Sequence, residues 1–422
     1  MSPSLESEFK KAADRYTKNQ RQGLIDKIRL PVAVLARVVT HLKATPPKHL
    51  LGYGLAITAL LYLAKPEAFR NFGLGLTTVL LHKPTPTTQP SPWPWRDQED
   101  LHPLIKNLPA DAERSIDSVA AYIAAREQDP YRQVKALHDY VIKRVSYDMN
   151  VLRTGARPPQ DAKTVFQTRR GVCEGYANLF TALAKSMGLE VATIEGNIRR
   201  DLAPIDDIAP WQRAQDATYD WTLHAWNAVK VNGQWQLVDT TWDDLGEGSS
   251  AANYRAAYLM PSPAMMIASH RPTQPAWQLL ARRKSKQEFE NQPLLKPEFF
   301  REGLVLIAPK TQQTTVGAEA LIRIQQPREQ RRQQGGNLGA LFITKADDSV
   351  WTAWGSLLQA AAKKNQQPGI CTSEQEPMGS QLITCRFPTP GSYKVLLFSA
   401  QITPNTEKPK ITDLGLLSFK AR

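Results

Sequence analysis

The most informative stretch of this sequence is residues 170–177, which read Arg-Gly-Val-Cys-Glu-Gly-Tyr-Ala. Apolar residues then recur at helical spacing and predict a helix from Cys173 to Met187. Cys173 would lie in its first turn, where unpaired backbone N–H groups and the helix dipole favour an anion. Because the thiolate is the reactive form of cysteine, this position favours a nucleophile. The alternative is a buried cysteine that serves as a small apolar side chain.

A β-hairpin is predicted downstream of this helix. Asn232-Gly233 is a strong signal for a two-residue turn, and β-type runs lie on both sides of it. This turn sets a register in which Asp239 lies opposite Trp226. His224 and Asp239 then share one face of the hairpin as diagonal neighbours, with Cα atoms about 7–8 Å apart. A slip of one residue would separate them, so the prediction is sharp.

Together, the cysteine, the histidine and the aspartate suit one kind of chemistry. We predict Cys173 as the nucleophile, His224 as the base that takes its proton, and Asp239 as the group that orients the imidazole. The thiolate would attack an amide carbonyl and form a thioester, which an acceptor then releases. Water as the acceptor gives a peptidase or amidase, and a lysine amine gives a transglutaminase. The sequence leaves both open.

Other polar residues have weaker patterns. Gln167, six residues before the cysteine, could donate to an oxyanion, although a surface glutamine is the simpler interpretation. Asp243 and Asp244 could compete as the orienting carboxylate, but both fall beyond the paired register. His138 lies within a predicted helix, and we interpret it as structural.

Three segments together resemble the transglutaminase-like superfamily, namely Gly171–Ala177, His224–Asn227 and Val238–Asp243. Within it the sequence is most similar to the branch typified by kyphoscoliosis peptidase, over roughly residues 110–310. Further segments similar to that branch are Tyr258–Pro261, Ser269–Pro272, Trp277–Leu280 and Pro297–Phe300. The resemblance implies a papain-like α+β fold, in which a helix packs on an antiparallel sheet, with a triad at Cys173, His224 and Asp239. Some members have lost triad residues and act as interaction scaffolds, whereas this sequence retains all three.

The sequence therefore favours a membrane-anchored cysteine peptidase that acts on a protein or peptide substrate. A catalytically silent transglutaminase-like module that binds protein partners is the alternative, and a protein-glutamine transglutaminase is a further one. No Gly-rich phosphate loop or dinucleotide motif is present in the sequence, so no cofactor is expected. The three cysteines lack the spacing of metal ligands, so no metal site is expected.

Charge is unevenly distributed along the 422 residues, a length that should hold two or three domains. The formal net charge is +13, and residues 1–48 hold ten Lys or Arg against four Asp or Glu. Two further basic runs, residues 282–284 and 328–332, have no interleaved aromatic residues. Solvated surface is the favoured interpretation of these runs, and nucleic-acid binding is not expected.

The N-terminal region, residues 1–82, has the pattern of a membrane anchor. Residues 50–64 form an uncharged apolar run of fifteen residues, shorter than the roughly 20 that a helical span prefers. Residues 24–42 are amphipathic and could lie along a membrane surface. One span would place the triad domain outside the cytoplasm. Two short spans, or a buried helical hairpin in a soluble protein, would leave it in the cytoplasm.

Residues 83–95 hold five prolines in thirteen positions and predict a stiff, extended linker. The catalytic domain is predicted at residues 96–290. Its first helices are expected over Arg114–Gln128 and Tyr131–Tyr147.

A second domain is predicted at residues 291–422. Short β-type runs separated by turn residues predict an antiparallel sandwich there, with strands near residues 303–309, 320–324, 340–344 and 393–399 and a helix over Ser356–Lys364. The domain shows no catalytic pattern, so we expect a binding or positioning role, with a protein as a possible partner. Cys371 and Cys385 could form a disulfide in an exported domain and would stay thiols in the cytoplasm.

Overall fold

A computed structural model describes residues 82–88, 91–95, 100–154, 156–199, 221–245, 254, 256–327, 337–344, 369–376, 379–401 and 410–422. The chain divides into two compact units. The described part of the smaller unit is residues 82–83, 148–154 and 156–158. The larger unit runs over Pro84–Tyr147, Pro159–Ile205 and Asp220–Arg422, and it holds every residue of the candidate site.

The described helices are α1 (Pro103–Lys106), α2 (Ile116–Arg126), α3 (Pro130–Arg144), α4 (Met149–Thr154, in the smaller unit), α5 (Ala162–Thr168), α6 (Cys173–Ser186), α7 (Pro263–Ser269), α8 (Lys286–Asn291) and α9 (Pro297–Arg301). Short 3-10 helices cover Ala110–Glu113 and Pro275–Gln278. The described strands are β1 (Ser146–Tyr147), β2 (Arg170–Gly171), β3 (Val191–Arg199), β4 (Trp221–Val231), β5 (Gln234–Val238), β6 (His270–Pro272), β7 (Leu294–Leu295), β8 (Val305–Ala308), β9 (Gln313–Val316), β10 (Glu319–Gln325), β11 (Asn337–Thr344), β12 (Gly369–Ile370), β13 (Thr372–Gln375), β14 (Ser380–Arg386), β15 (Gly391–Gln401) and β16 (Lys410–Ala421).

The helices before the core begin where their sequences dictate. α2 follows a capping box formed by Ser115 and Ser118. α3 has a proline in its first turn and Asp129 as its N-cap, whose carboxylate accepts from two backbone N–H groups. These two helices confirm the pair predicted ahead of the core. α6 begins at Cys173, as predicted, and ends one residue before the predicted Met187.

The central helix α6 packs against an antiparallel sheet of order β5-β4-β3-β6. Asn227 on β4 reaches across the interface, where its Nδ2 donates to the Ala177 carbonyl (3.1 Å) and to Thr181 Oγ1 (2.9 Å). Leu179 and Phe180 belong to the apolar cluster between the layers, where each such side chain contributes about 1.5–3 kcal/mol on burial. The predicted α+β arrangement of a helix packed on an antiparallel sheet is confirmed.

The β4–β5 hairpin has the predicted turn. Asn232 and Gly233 both adopt left-handed backbone, with φ of 48° and 78°, as this two-residue turn requires. The ladder keeps the predicted register from the turn to the end of β5. β5 stops there, so Asp239 does not pair with Trp226 as predicted. Its backbone N–H donates instead to the Tyr258 carbonyl (3.0 Å).

Two antiparallel sheets form the C-terminal region. One has the order β13-β14-β10-β8, and the other has the order β12-β11-β15-β16-β7, with β9 parallel to β16. Their side chains share one core, in which Phe387 stacks on Tyr393 with ring centroids 4.2 Å apart. Tyr393 OH donates to the Thr389 carbonyl (2.8 Å), similar to the tyrosine corner of antiparallel sandwiches. The predicted sandwich is confirmed, whereas the predicted helix Ser356–Lys364 lies outside the described residues.

Cys371 and Cys385 form a disulfide within this sandwich. They lie next to the β13–β14 ladder, with Cα atoms 4.4 Å apart. Both side chains are buried in the core. The pairing that the sequence left open is therefore present in the structure.

The described part of the predicted linker has no helix or strand after His82 and lies against the catalytic region. Thr87 Oγ1 donates to the Trp235 carbonyl (2.8 Å). The indole N–H groups of Trp93 and Trp95 donate to carbonyls of the loop 257–260, at 2.9 and 3.0 Å. These contacts tie the segment to the loop that also receives the Asp239 backbone N–H.

None of the helices that the structure describes is long and apolar enough to cross a membrane. The predicted anchor at residues 50–64 and the amphipathic residues 24–42 lie outside the described residues.

Candidate active site

Cys173 is the first residue of α6, and its side chain is partly exposed. Gln160 holds the turn before it, because its side-chain oxygen accepts from the Val172 backbone N–H (2.8 Å). Gly175 is needed for close approach, since a Cβ there would lie 2.6 Å from Gln160 Oε1 and 2.9 Å from a Val165 methyl group. The thiol therefore lies at the positive end of the helix dipole, on a turn that is held by the Gln160 hydrogen bond and by close packing at Gly175.

His224 lies on β4 beside the thiol. Its side chain hydrogen-bonds the Cys173 thiol, as does the backbone N–H of Ala225. Its Nε2 lies 2.7 Å from Asp239 Oδ2. A carboxylate oxygen only accepts, so Nε2 carries a proton and Nδ1 is the ring nitrogen left for the thiol. The structure thus brings the three predicted side chains into one hydrogen-bonded chain.

Asp239 is buried and accepts four hydrogen bonds. Oδ1 accepts from the backbone N–H groups of Thr241 (2.8 Å) and Trp242 (3.3 Å). Oδ2 accepts from His224 and also from Nε2 of His270 (2.9 Å). Burial raises the pKa of Asp239, but the charge of His224 and the bonds from both histidines outweigh it and hold the pKa well below its usual range. The carboxylate is therefore ionised.

The charges of the site favour a thiolate and an imidazolium. Burial lowers the pKa of His224, but the Asp239 carboxylate and the thiol outweigh it and raise the pKa to about 10. Loss of solvent around the thiol raises the pKa of Cys173. The hydrogen bond from His224 and its charge have the larger effect, so the pKa lies below its ordinary value. The ion pair of thiolate and imidazolium is the reactive form of such a site.

A second histidine, His270 at the start of β6, completes the cluster. It is buried, and its Nδ1 lies 2.7 Å from Ser269 Oγ. Burial is the main cause that lowers the pKa of His270 to about 4, so the ring is neutral. Trp226, Trp242 and Tyr258 surround it, with ring centroids at 5.2, 4.4 and 5.3 Å.

His224, Asp239 and His270 also offer three possible metal-ligand atoms within 4.8 Å of one another. Both Nε2 atoms, however, carry protons that point at the carboxylate at hydrogen-bond distance. Zinc requires unprotonated nitrogens about 2.0–2.1 Å from the ion. The arrangement fits a hydrogen-bonded cluster better than a metal site.

The remaining candidate residues lie elsewhere. Asp243 accepts from two backbone N–H groups and lies 3.1 Å from Nε2 of His138, so it serves a different buried histidine. His138 in turn lies 2.9 Å from Asp139 in a fully buried ionic network, which agrees with a structural role. Gln167 is exposed on α5, and the glutamine that contacts the cysteine turn is Gln160.

Helical and strand periodicity in the sequence does not indicate Gln160 or His270 as residues of the site. His270 reaches the triad because β6 pairs with β3 on the side of the sheet away from the hairpin, and local periodicity carries no information about such long-range pairing. The sequence feature that could have identified His270 is its position in the Ser269–Pro272 segment, which is similar to the same family. The signal for Gln160 lies in Gly171 and Gly175, whose missing side chains leave room for it.

Comparison with known proteins relates the catalytic region to a family. Residues 117–240 match the family model of the transglutaminase-like superfamily. The chain is 29% identical over 232 residues to kyphoscoliosis peptidase of Mus musculus, which covers 53% of this chain and 34% of that protein. It is 30% identical over 145 residues to hillarin of Drosophila melanogaster, which covers 31% of this chain and 17% of that protein. The chain thus carries a transglutaminase-like domain and resembles the kyphoscoliosis-peptidase branch, as predicted.

The chain spans about a third of the length of the kyphoscoliosis peptidases it matches. Among solved structures it is similar to red sea bream transglutaminase, with 11% identity and a TM-score of 0.24 over 76% of this chain and 57% of that chain. At this score the superposition adds nothing to the argument from the site.

Proposed function

We propose that this chain is a thiol acyl-transfer enzyme, specifically a cysteine peptidase that uses Cys173, His224 and Asp239. One observation carries the proposal. His224 hydrogen-bonds the Cys173 thiol and also lies 2.7 Å from the Asp239 carboxylate. The lowered thiol pKa and the raised imidazole pKa follow from these contacts, and a cysteine kept only for packing would need neither.

In the first half of the reaction, the Cys173 thiolate attacks the carbonyl carbon of an amide. The C–S bond forms, and the carbonyl π pair moves to oxygen, where the backbone N–H of Cys173 is the donor we expect to bind it. The carbonyl then reforms, the C–N bond breaks, and His224 gives its proton to the leaving amine. Asp239 stabilises the imidazolium until that proton leaves. The products are a thioester and a free amine.

In the second half, water attacks the thioester while the now neutral His224 takes one of its protons. The C–S bond breaks, and the Cys173 thiolate and the His224 imidazolium are restored. The released product is a carboxylic acid, so the net reaction is hydrolysis of the amide.

The proposed substrate is an extended protein or peptide. β4 pairs with β5 only over Asn227–Val231, so its edge toward the thiol lacks a β5 partner. The Ala225 N–H points to Cys173 on this side. Leu223 is two residues earlier, so its backbone faces the same side, and its side chain is 72% exposed. An extended peptide could add here as a strand and bring a carbonyl to the thiol.

A transglutaminase that uses an amine in place of water is the second candidate, and two carboxylates favour it. Glu174 follows Cys173 directly, and Glu195 lies opposite Ala225 in the β3–β4 ladder. Burial and the charge of Glu174 raise the pKa of Glu195. Negative charge beside the thioester would attract a lysine ammonium. An acyl-donor screen that compares water with amine acceptors separates the two candidates.

A thiol-directed probe tests whether the site is catalytic at all. Near neutral pH, iodoacetamide should label Cys173 of the native protein faster than an ordinary thiol, and His224→Ala should remove that rate advantage. The matched control is His102→Ala, which removes another buried histidine, one bonded to Glu127 (3.0 Å). Native labelling no faster than that of an ordinary thiol in the unfolded, reduced chain would favour a silent interaction module and overturn the proposal.

We further propose that residues 50–64 anchor the protein in a membrane and that the triad domain lies outside the cytoplasm. The Cys371–Cys385 disulfide supports this placement, because such bonds persist in oxidising compartments. The C-terminal sandwich is then free to bind a protein partner. Protease added to intact cells should degrade the triad domain, and its protection there would favour the cytoplasmic alternative.

A further inference from the structure

One oxygen of the proposed triad is shared between two histidines. Asp239 Oδ2 lies 2.7 Å from Nε2 of His224 and 2.9 Å from Nε2 of His270. The two rings have centroids 5.5 Å apart. The thiol contacts His224, so the proposed reaction leaves His270 without a role, although it makes the same bond to the same oxygen.

The surroundings of the two rings decide which one carries the charge. Ser269 Oγ can donate to Nδ1 of His270 at 2.7 Å, which fixes the neutral tautomer with its proton on Nε2. Among the described residues, the titratable groups that face His270 are Asp239, His224 and Tyr258. Burial raises the pKa of Tyr258 well above its ordinary value, so that phenol stays neutral. The positive charge therefore resides on His224, next to the thiol.

We propose that His270 is a positioning residue that limits how tightly Asp239 binds the His224 imidazolium. The inference rests on the proposed function of the triad. Oδ1 of Asp239 is already held by the backbone N–H groups of Thr241 and Trp242, so His270 is not needed to keep the carboxylate in place. Its Nε2–H instead draws on the negative charge of Oδ2, which leaves less of that charge for His224.

The consequence concerns the proton that His224 must give to the leaving amine. An imidazolium held too tightly is a weak acid and slows that transfer, whereas one held too loosely does not stabilise the thiolate. By weakening the bond between Asp239 and His224, His270 keeps the imidazolium acidic enough to protonate the amine and still able to stabilise the thiolate. His270 does not exchange a proton itself.

The pH dependence of Cys173 alkylation by iodoacetamide tests this role. His270→Leu fills the space without a donor, so the full charge of Asp239 acts on His224 and stabilises the ion pair. The midpoint of alkylation should move to lower pH by about half a unit to one unit. This is the effect of losing one hydrogen bond to the Asp239 carboxylate, of which only a part reaches the thiol through His224. His270→Gln keeps an N–H donor and should keep the wild-type midpoint. Ser269→Ala, which removes the hydroxyl on Nδ1, should move it less, in the same direction.

A control and a second readout separate this role from a structural one. His102→Leu removes a buried histidine bonded to Glu127 and should keep the wild-type midpoint.

In protein labelled with ¹⁵N-histidine, the Nε2–H resonance of His224 should move downfield in His270→Leu, because the hydrogen bond from His224 to Asp239 strengthens. An unchanged or raised midpoint in His270→Leu overturns the inference. If that variant does not fold, an unchanged midpoint in Ser269→Ala does so. A wild-type midpoint at the ordinary thiol value of about 8.5 instead overturns the proposed function.

Discussion

Replacing Asp239 by asparagine should disable the thiol through a mismatch of donors and acceptors. The carboxylate accepts four hydrogen bonds, two on each oxygen. Asparagine keeps one accepting oxygen and replaces the other with a donating NH2 group, so one pair of N–H groups loses its acceptor. If the oxygen stays with the backbone N–H groups, the NH2 group forces His224 to accept on Nε2. His224 then carries its proton on Nδ1, toward the thiol, and cannot act as the base.

The expected magnitude follows from the pKa values. The rise in the pKa of His224 from 6.5 to about 10 corresponds to a net stabilisation of the imidazolium by about 5 kcal/mol, at ~1.4 kcal/mol per pKa unit, after the opposing effect of burial. Without the charge of Asp239, burial lowers the pKa of His224, and Cys173 should return toward the ordinary thiol pKa of about 8.5. At about pH 6 such a thiol is roughly 0.3% ionised, so alkylation should fall by up to about 300-fold, the limit for a wild-type thiol that is fully ionised at that pH.

The assay is the rate of iodoacetamide alkylation of Cys173 against pH, read by mass spectrometry of the peptide. Asp243→Asn is the matched control, because this carboxylate also accepts from two backbone N–H groups and lies beside a buried imidazole, that of His138. It should keep the wild-type profile. If folded Asp239→Asn protein were alkylated at about pH 6 as fast as wild type, Asp239 would not be needed to activate the thiol.

Three further predictions concern the scaffold. Burial lowers the pKa of His138, but the hydrogen bonds from its ring to Asp139 and Asp243 have the larger effect and raise the pKa. The stability that protonated His138 contributes to the fold is therefore complete below about pH 6.5 and is lost as the pH rises through the pKa of the folded state. Urea titrations should show a larger difference in unfolding free energy between wild type and His138→Gln at about pH 5.5 than at about pH 9, and an equal difference would contradict this assignment. Replacing both Cys371 and Cys385 by alanine should lower the unfolding free energy by about 3 kcal/mol, whereas a wild-type Tm that does not respond to reductant would argue against the disulfide. Gly175→Ala should lower both stability and the alkylation rate, because its Cβ would lie 2.6 Å from Gln160 Oε1, and Gln160→Ala should recover part of that stability; a double-mutant cycle without coupling would contradict the contact.

Local signals predict much of this site, and long-range pairing explains most of what they miss. Asn232-Gly233 sets the register of the hairpin because both residues accept the left-handed backbone that its turn requires. Nothing local shows that β5 stops before Asp239, because that stop depends on the Tyr258 carbonyl, which lies on a later loop. His270 is likewise delivered by β6 from the far side of β3.

The linker shows the same limit. Its prolines predict extended backbone. They do not show where that backbone lies, because the indoles of Trp93 and Trp95 find their acceptors on the loop 257–260. Composition sets the stiffness of the segment, whereas its docking depends on residues more than a hundred positions away.

The most direct test of the central claim, that Cys173 is an activated nucleophile, is detection of its acyl-enzyme. The protein is mixed with p-nitrophenyl acetate near neutral pH, quenched in acid, and the peptide that contains Cys173 is weighed. We expect an acetyl adduct on Cys173 that forms and then disappears in wild type, and that forms much more slowly in both His224→Ala and Asp239→Asn. An adduct that forms equally fast in His224→Ala, or no adduct on Cys173 in the folded wild-type protein, would contradict the claim.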